Sequence, residues 1–378
     1  MKKVLQITSF ILIFTVFLNS IFIFAQNEDE KAKLTHISAE SSCLIDAQSK
    51  KLLYSKNESK RMPMASTTKI MTAILALESG IPLDTPVSVP KEAVGVEGSS
   101  IYLNVGEKIS FGGLIYALLL SSANDAAIAI AHTVAGDTDS FVGLMNEKAG
   151  ALGLTNTHFT NPHGLYDKEH YTTAYELALI MAYAMKNDEF ARITATKRTV
   201  LPREDDGVRV LVNHNKLLKE NGDIIGGKTG FTKKSGRCLV TCAENNGLRL
   251  ICVTLNAPDD WNDHKKLYDF AFASYQSVAF EPLTVQIPVI SGKTDVITVR
   301  SLPLDPLIAS KSEGEVEVVI EAPRFVFAQV KKGEQLGRVL YILNGKVISA
   351  SPLVAVDSAE KIKYGFDLFE WLRQLFKI

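Results

Sequence analysis

Apolar and polar positions along the chain alternate in three different ways. Near the start, the short runs Ser42-Cys43-Leu44-Ile45-Asp46 and Lys51-Leu52-Leu53-Tyr54-Ser55 flank a turn at Ala47-Gln48-Ser49 and predict two strands. From Pro63 the apolar runs lengthen to helical size. One reaches the stop at Gly80, two more cover 111–120 and 126–135, and a fourth covers 172–185. From Ile224 strands return, at 225–232, 237–243 and 248–256, with the hairpin signal Asn245-Asn246-Gly247 between the last two. A helix from His264 to Tyr275 follows. This order predicts an α/β (α+β) domain in which an antiparallel sheet carries a helical cluster.

Beyond Pro282 the pattern is strand-rich, with runs at 284–287, 296–299, 315–320 and 339–342, and predicts a small all-β domain without a cluster of reactive residues. The end of the chain changes again. At about 100° per residue, Lys363, Asp367, Glu370 and Arg373 fall on one side of 361–378 and Phe366, Leu368, Trp371 and Leu375 on the other. So wide an apolar face predicts an amphipathic helix lying in a membrane surface. At the other end, Met1-Lys2-Lys3 precedes the apolar run Val4 to Ala25, the form of an export signal. The expected organisation is a signal peptide over 1–25, a linker over 26–36, a catalytic domain over 37–276, a β-rich domain over 282–357 and an amphipathic helix over 359–378. The protein is then expected at the extracytoplasmic face of a cell membrane.

Composition narrows the function. A formal net charge of -1 gives no electrostatic case for a nucleic-acid partner. Cys43, Cys238, Cys242 and Cys252 lie in apolar, strand-like stretches and read as free buried thiols, although four cysteines in an exported chain could form two disulfides. No His or Cys cluster has zinc spacing, so neither metal nor cofactor is expected.

The reactive chemistry concentrates at Ser66-Thr67-Thr68-Lys69, at the start of the first long apolar helix. Residues three apart share a helix face, so the Ser66 hydroxyl and the Lys69 amine can meet. Burial strips hydration from an ammonium and favours the neutral amine, which can take a proton from a serine. The hydroxyls of Ser66, Thr67 and Thr68 also suit the capping of a helix start. Two other serine–lysine pairs of the same spacing, Ser88/Lys91 and Ser358/Lys361, lack this setting. Ser122-Ala123-Asn124 stands between two apolar helices, where Asn124 or Asp125 can cap the next helix or the cluster can line a cleft. In Lys228-Thr229-Gly230 the flanking glycines let a ligand or another backbone approach a strand closely. His163 and His170 read as loop-packing residues, since a lysine base is at hand.

Taken in order, Ser66-Thr67-Thr68-Lys69, Ser122-Ala123-Asn124 and Lys228-Thr229-Gly230 resemble the three motifs of serine penicillin-recognising enzymes. With the signal segment, β domain and amphipathic tail, the chain is similar to low-molecular-weight penicillin-binding proteins, the serine-type D-alanyl-D-alanine carboxypeptidases. The resemblance implies a β-lactamase/transpeptidase-like catalytic domain. It implies that Ser66 attacks a stem peptide ending in D-Ala-D-Ala with Lys69 as base, and that Ser122 passes a proton to the departing amine. Asn124 would hold the substrate backbone, and Lys228 and Thr229 its carboxylate. The N–H groups of Ser66 and Phe231, beside Gly230, would receive the oxyanion. β-Lactams would acylate Ser66. A β-lactamase, a DD-endopeptidase and a transpeptidase share this motif set. Two departures from the family pattern stand out: Phe231 follows Gly230 where some members have histidine, and Asp259-Asp260-Trp261-Asn262-Asp263 lacks an arginine that some relatives carry there. That absence shifts the expected carboxylate binding onto Lys228.

Overall fold

A computed structural model describes residues 36–203, 206–362 and 373. The chain divides into two units, Met1–Ala273 and Ser274–Ile378. In the first, strands β1 (Ser41–Asp46) and β2 (Leu52–Lys56) form a hairpin, as the alternation predicts. Helices follow: α1 (Lys69–Glu78), α2 (Phe111–Leu120), α3 (Asn124–Ala135), α4 (Thr138–Ala151), α5 (Ala174–Ala184) and α6 (Asp188–Ala195). Strands β3 (Ile224–Thr232), β4 (Gly236–Asn245) and β5 (Leu248–Leu255) then lead into α7 (Asp260–Ser274).

The sheet runs β2-β1-β5-β4-β3, all antiparallel, so the first hairpin closes onto the last strand through Leu44 opposite Cys252. This long-range pairing leaves β3 at an edge. Helices α2 and α3 account for much of the core: in α2 every residue but Tyr116 is buried. Each fully buried Leu, Ile or Phe there contributes about 1.5–3 kcal/mol. Ser110 starts α2 by accepting from the Gly113 N–H at 3.1 Å, and Gly136, at φ 87°, ends α3 where a side chain would be strained. Among the described residues no helix is long and apolar enough to cross a membrane.

Three elements of this unit carry a weak sequence signal. Helix α4 buries only Phe141, Met145 and Ala149, one residue per turn; α6 is short; and the hairpin of Arg198–Pro202 with Val208–Val212 leaves most of its side chains exposed. The ion pair of Arg209 with Glu107, at 2.9 Å and almost fully buried, ties that hairpin to the loop before α2.

The second unit is β-rich. Strands β6 (Thr284–Ile290), β7 (Val296–Ser301), β8 (Glu317–Glu321), β9 (Val326–Phe327), β10 (Gln335–Leu343) and β11 (Lys346–Ala355) form one sheet in the order β8-β10-β11-β7-β6-β9. Its small core includes Ile287, Val299, Tyr341 and Leu353. The expected terminal helix does not begin at residue 359, because Ala359 and Lys361 form bridges with Val330 and Gly292. Residues 363–378 of that expected helix, apart from Arg373, lie outside the described residues, as do the signal segment and all but the last residue of the linker. All four cysteines are buried and free, and burial pushes the Cys238 and Cys242 thiols up to about 12.

Burial also depresses three histidines: His264 to about 3, His163 to about 3 and His170 to about 4. Their folded values lie below the unfolded one, so the unfolded chain takes up protons first as pH falls. The stability tied to their neutral forms is complete above about pH 6.5 and is lost below it, at about 1.4 kcal/mol per histidine per pH unit. His264 sits between Thr241 Oγ1 at 2.7 Å and Thr254 Oγ1 at 3.0 Å, contacts a glutamine amide can reproduce. His264→Gln is expected to shrink the stability lost between pH 6.5 and 5 by about 2 kcal/mol, measured by urea unfolding at the two pH values. An unchanged difference would contradict this account.

Candidate active site

Ser66 lies in a 3-10 turn, Ala65–Thr68, that runs directly into α1. The sequence predicts an α-helical start with the hydroxyls as caps, and the local structure differs. Thr67 and Thr68 donate their hydroxyl protons to the carbonyls of Met64 and Ala65, at 2.6 and 2.8 Å, rather than accepting from N–H groups. The 3-10 turn eclipses residues three apart. Lys69 Nζ consequently stands 2.9 Å from Ser66 Oγ.

Two further contacts fix that amine: it donates to Asn124 Oδ1 at 2.7 Å and to the His163 carbonyl at 2.5 Å. Lys69 is 0% exposed. Its burial first, and the positive charge of Lys228 second, hold it well below the ordinary lysine value, against the opposing pull of Asp125. A neutral amine has two N–H bonds and one lone pair. With the N–H bonds given to Asn124 and His163, the lone pair is left for the Ser66 hydroxyl.

Ala65, immediately before the serine, has φ 47°, a conformation costly for a residue with a Cβ. The surroundings over-determine it. The Thr160 N–H donates to His170 Nδ1 at 3.0 Å, which leaves Nε2 to donate to Thr68 Oγ1 at 2.7 Å, and Thr68 in turn donates to the Ala65 carbonyl. Gly164 lies over the same carbonyl, where an added Cβ would stand 2.0 Å from the oxygen. His170 thus supports the turn as a neutral ring and does not touch Ser66. Of His163, the main-chain carbonyl faces the lysine, while Nδ1 accepts from the Leu165 N–H at 3.2 Å.

The second motif follows α2. Ser122 is buried at φ 59°, a sharp bend that lets Asn124 open α3 with its side chain on Lys69. Asn124 is not the cap the sequence permits, since the helix begins at that residue and the preceding Ala123 offers no side-chain acceptor. Its amide nitrogen donates to the Glu97 carbonyl, and the Asp125 carboxylate gathers Ser100 Oγ and the N–H groups of Ile101 and Leu103. The loop bearing Ser99 is held against the site in this way.

Strand β3 brings the third motif to the sheet edge. Lys228 Nζ donates to Ser122 Oγ at 2.9 Å and to the Thr229 carbonyl at 2.8 Å, and burial lowers Lys228 to about 7. Thr194 on α6 clips the strand by accepting from the Gly227 N–H at 3.0 Å and donating to the Gly227 carbonyl at 2.8 Å. At Gly230 the strand comes so close that a Cβ would meet Ser66 N at 3.0 Å and Met64 O at 3.2 Å. The peptide between Gly230 and Phe231 therefore lies beside the Ser66 N–H.

A cleft of about 300 Å³ opens over this arrangement, lined by Ser66, Ser122 and Thr229 from the motifs and by His214, Arg237 and Trp261 from elsewhere. Among the described residues no group of His, Cys, Asp and Glu could hold a metal. The structure thus brings Ser66, Lys69, Ser122, Asn124, Lys228, Thr229, Gly230 and Phe231 together, from segments more than 160 positions apart at their ends.

Residues 26–259 match the family model of the D-alanyl-D-alanine carboxypeptidases, Peptidase_S11. The chain belongs to this family. Residues 280–361 match a second model, the C-terminal domain of penicillin-binding protein 5. The chain is 32% identical over 353 residues to the D-alanyl-D-alanine carboxypeptidase DacF of Bacillus subtilis, covering 89% of this chain and 90% of the relative. It is 31% identical over 373 residues to DacC of Escherichia coli, covering 90% of each. Penicillin-binding protein 5 from Haemophilus influenzae superposes with a TM-score of 0.73 at 27% identity, over 86% of this chain and 99% of that one. This chain is a penicillin-binding serine peptidase of the D-alanyl-D-alanine carboxypeptidase family.

The contact at Gly230 yields a test of the strand's placement. Gly230→Val is expected to push the strand away from Ser66 and to lower the rate of D-alanine release by about a hundredfold, the scale of a lost oxyanion donor. A rate within threefold of wild type would show that the close approach is dispensable.

Proposed function

We propose that the chain removes the terminal D-alanine from peptidoglycan stem peptides ending in D-Ala-D-Ala, by way of an acyl-enzyme on Ser66. The observation that carries this reading is the Lys69 amine, fully buried, 2.9 Å from Ser66 Oγ and with its N–H directions already engaged. In the first step the Lys69 lone pair takes the hydroxyl proton as Oγ bonds to the carbonyl carbon of the penultimate D-alanine. The oxyanion so formed is received by the N–H groups of Ser66 and Phe231. As the intermediate collapses, the peptide C–N bond breaks and the departing amine takes a proton delivered through Ser122, whose hydroxyl already contacts Lys228. Water then attacks the ester, Oγ leaves and recovers its proton, and the shortened peptide departs.

Asn124 has one role in the free enzyme, as a partner of Lys69, and on this reading a second toward the substrate backbone. Thr229 and Lys228 offer a hydroxyl and a cation to the terminal carboxylate, the pairing that such a group favours. A β-lactam enters the same first step, but its ring amide keeps the leaving nitrogen attached to the acyl group, so Ser66 stays blocked.

The proposed place of action is outside the cytoplasm. Met1-Lys2-Lys3 with the apolar run to Ala25 supports export, and the one-sided apolar pattern of 361–378 supports attachment to the membrane surface.

Ser66→Ala is expected to abolish both D-alanine release from a pentapeptide ending in D-Ala-D-Ala and the mass increase on incubation with a penicillin. Release retained by that variant would exclude the acyl-enzyme. Ending the chain after residue 362 is expected to shift the protein from the membrane pellet to the supernatant with peptidase activity kept. Sedimentation of the shortened chain with membranes would remove the anchoring role.

A further inference from the structure

The outer face of the β-rich sheet carries an apolar patch that the peptidase chemistry does not use. Along β6 the alternation turns Val285, Ile287 and Val289 toward the core and leaves Gln286, Pro288 and Ile290 outside. Strand β9 pairs with the end of β6, Val289 beside Val326 and Ile290 beside Phe327, so Val326 joins the core and Phe327 joins Ile290 on the outer face. The Phe325 ring stands 5.6 Å from that of Phe327, edge to face, and Val296 of β7, opposite Pro288, continues the patch. Phe325 is 48% exposed and Phe327 65%, and the one other phenylalanine so exposed among the described residues is Phe231, in the cleft. Contiguous exposed apolar side chains of this size mark a contact surface.

Where the chain leaves the unit says what that surface meets. Lys361 bridges to Gly292, and the Ile362 N–H donates to the Ser291 carbonyl at 3.0 Å. Ser291 follows Ile290 directly, so the polypeptide enters the amphipathic stretch 363–378 right beside the patch. A segment lying in a membrane surface seats its apolar side about 5–10 Å into the headgroup boundary. Its first residue is then at the surface, and so is Ser291, to which the preceding residue is bonded. Successive strand residues rise by only about 3.3 Å, which brings Ile290 and its neighbour Phe327 to the same boundary. The charges agree with an anionic surface: Lys293 is paired with Glu360, whereas Arg324 and Lys361 form no ion pair among the described residues and outnumber Asp295 in the β6–β7 turn.

We propose that Ile290, Phe325 and Phe327 form a second membrane contact, seated in the headgroup region of an anionic bilayer beside the terminal segment, and that the two contacts together fix the direction in which the β-rich unit stands on the surface. The inference rests on the membrane attachment proposed above and adds to it a surface of the folded unit. Three side chains are too few to hold the chain by themselves. They orient what 363–378 anchors.

The test uses the full chain with a polarity-sensitive nitrobenzoxadiazole dye on Phe327→Cys, since the four native thiols are buried. Vesicles of phosphatidylglycerol and phosphatidylethanolamine are added, with and without a lipid spin-labelled at headgroup depth. The dye is expected to shift to the blue on the vesicles and to be quenched by the spin-labelled lipid. The same dye at Thr284→Cys, on the same outer face but about 20 Å from Ile290, is expected to show neither effect. Replacing both rings, Phe325→Ser with Phe327→Ser, should weaken vesicle binding by about tenfold while D-alanine release from a soluble pentapeptide is unchanged. Quenching at both labelled positions or at neither, in a chain bound to vesicles, would overturn the oriented contact and leave the terminal anchor standing. Undiminished binding by the double variant would overturn it as well, and a full chain that stays off the vesicles would overturn both contacts. A dye already blue-shifted before vesicles are added also counts against the proposal: the terminal segment is then the occupant if the shift disappears on ending the chain after residue 362, and a second copy is if it disappears on dilution.

Discussion

The arrangement depends on one buried amine. Removing an ammonium from water costs several kcal/mol even after the protein relaxes, so a fully enclosed lysine is held in its neutral form unless a partner carboxylate compensates it. Lys69 contacts two neutral oxygens and a hydroxyl, with Asp125 acting on it only as a charge whose carboxylate is bonded to the 100–103 loop. The enclosure comes from the packed helices: Ile70, Ala73 and Ile74 on α1 join Leu118 and Ala127 in one core. Core packing and chemistry are therefore linked, because a helical cluster loose enough to admit water beside Lys69 would return the amine to its ammonium form.

The sheet supplies what the helices lack. Ser66, Lys69, Ser122 and Asn124 all come from the helical cluster and the turns that join it, and a strand must be brought up to them from the far end of the domain. Closure of β1 onto β5 places the strands in the order that leaves β3 free at the edge. Gly230 then allows the edge to approach Ser66 so closely that an added Cβ would force its neighbours to give by a few tenths of an ångström. Thr194 holds the strand from behind, so its position is fixed from two sides.

Much of this was legible in the sequence, and the parts that were not share physical causes. The strands and helices were plain where an apolar run is buried nearly throughout, as in β1, α2 and β5, and faint where burial is one residue per turn, as in α4. The three motifs carry their own residue types and were readable as chemistry. The His163 carbonyl was not, because every residue has one and only the fold shows which main-chain oxygen meets the amine. Arg237 escaped for another reason. An arginine at the start of a strand looks like an ordinary exposed cation, and its place in the cleft follows from register with Phe231 and from Asp260, a residue on a later helix. The 3-10 turn at Ser66 was hidden because threonine side chains can either cap N–H groups or donate to carbonyls, and the choice depends on His170 and Gly164 from a distant loop.

The two lysines acquire different behaviour from their surroundings. Both are buried, yet the positive charge of Lys228 lowers Lys69 further, while Lys228 itself is displaced by burial to about 7. Burial thus favours the neutral form of Lys228, and a negative charge arriving in the cleft favours the charged one. That positive charge in turn works against protonation of Lys69. The two amines are thus coupled, and charge on the one beside Ser122 favours a free amine on the one beside Ser66.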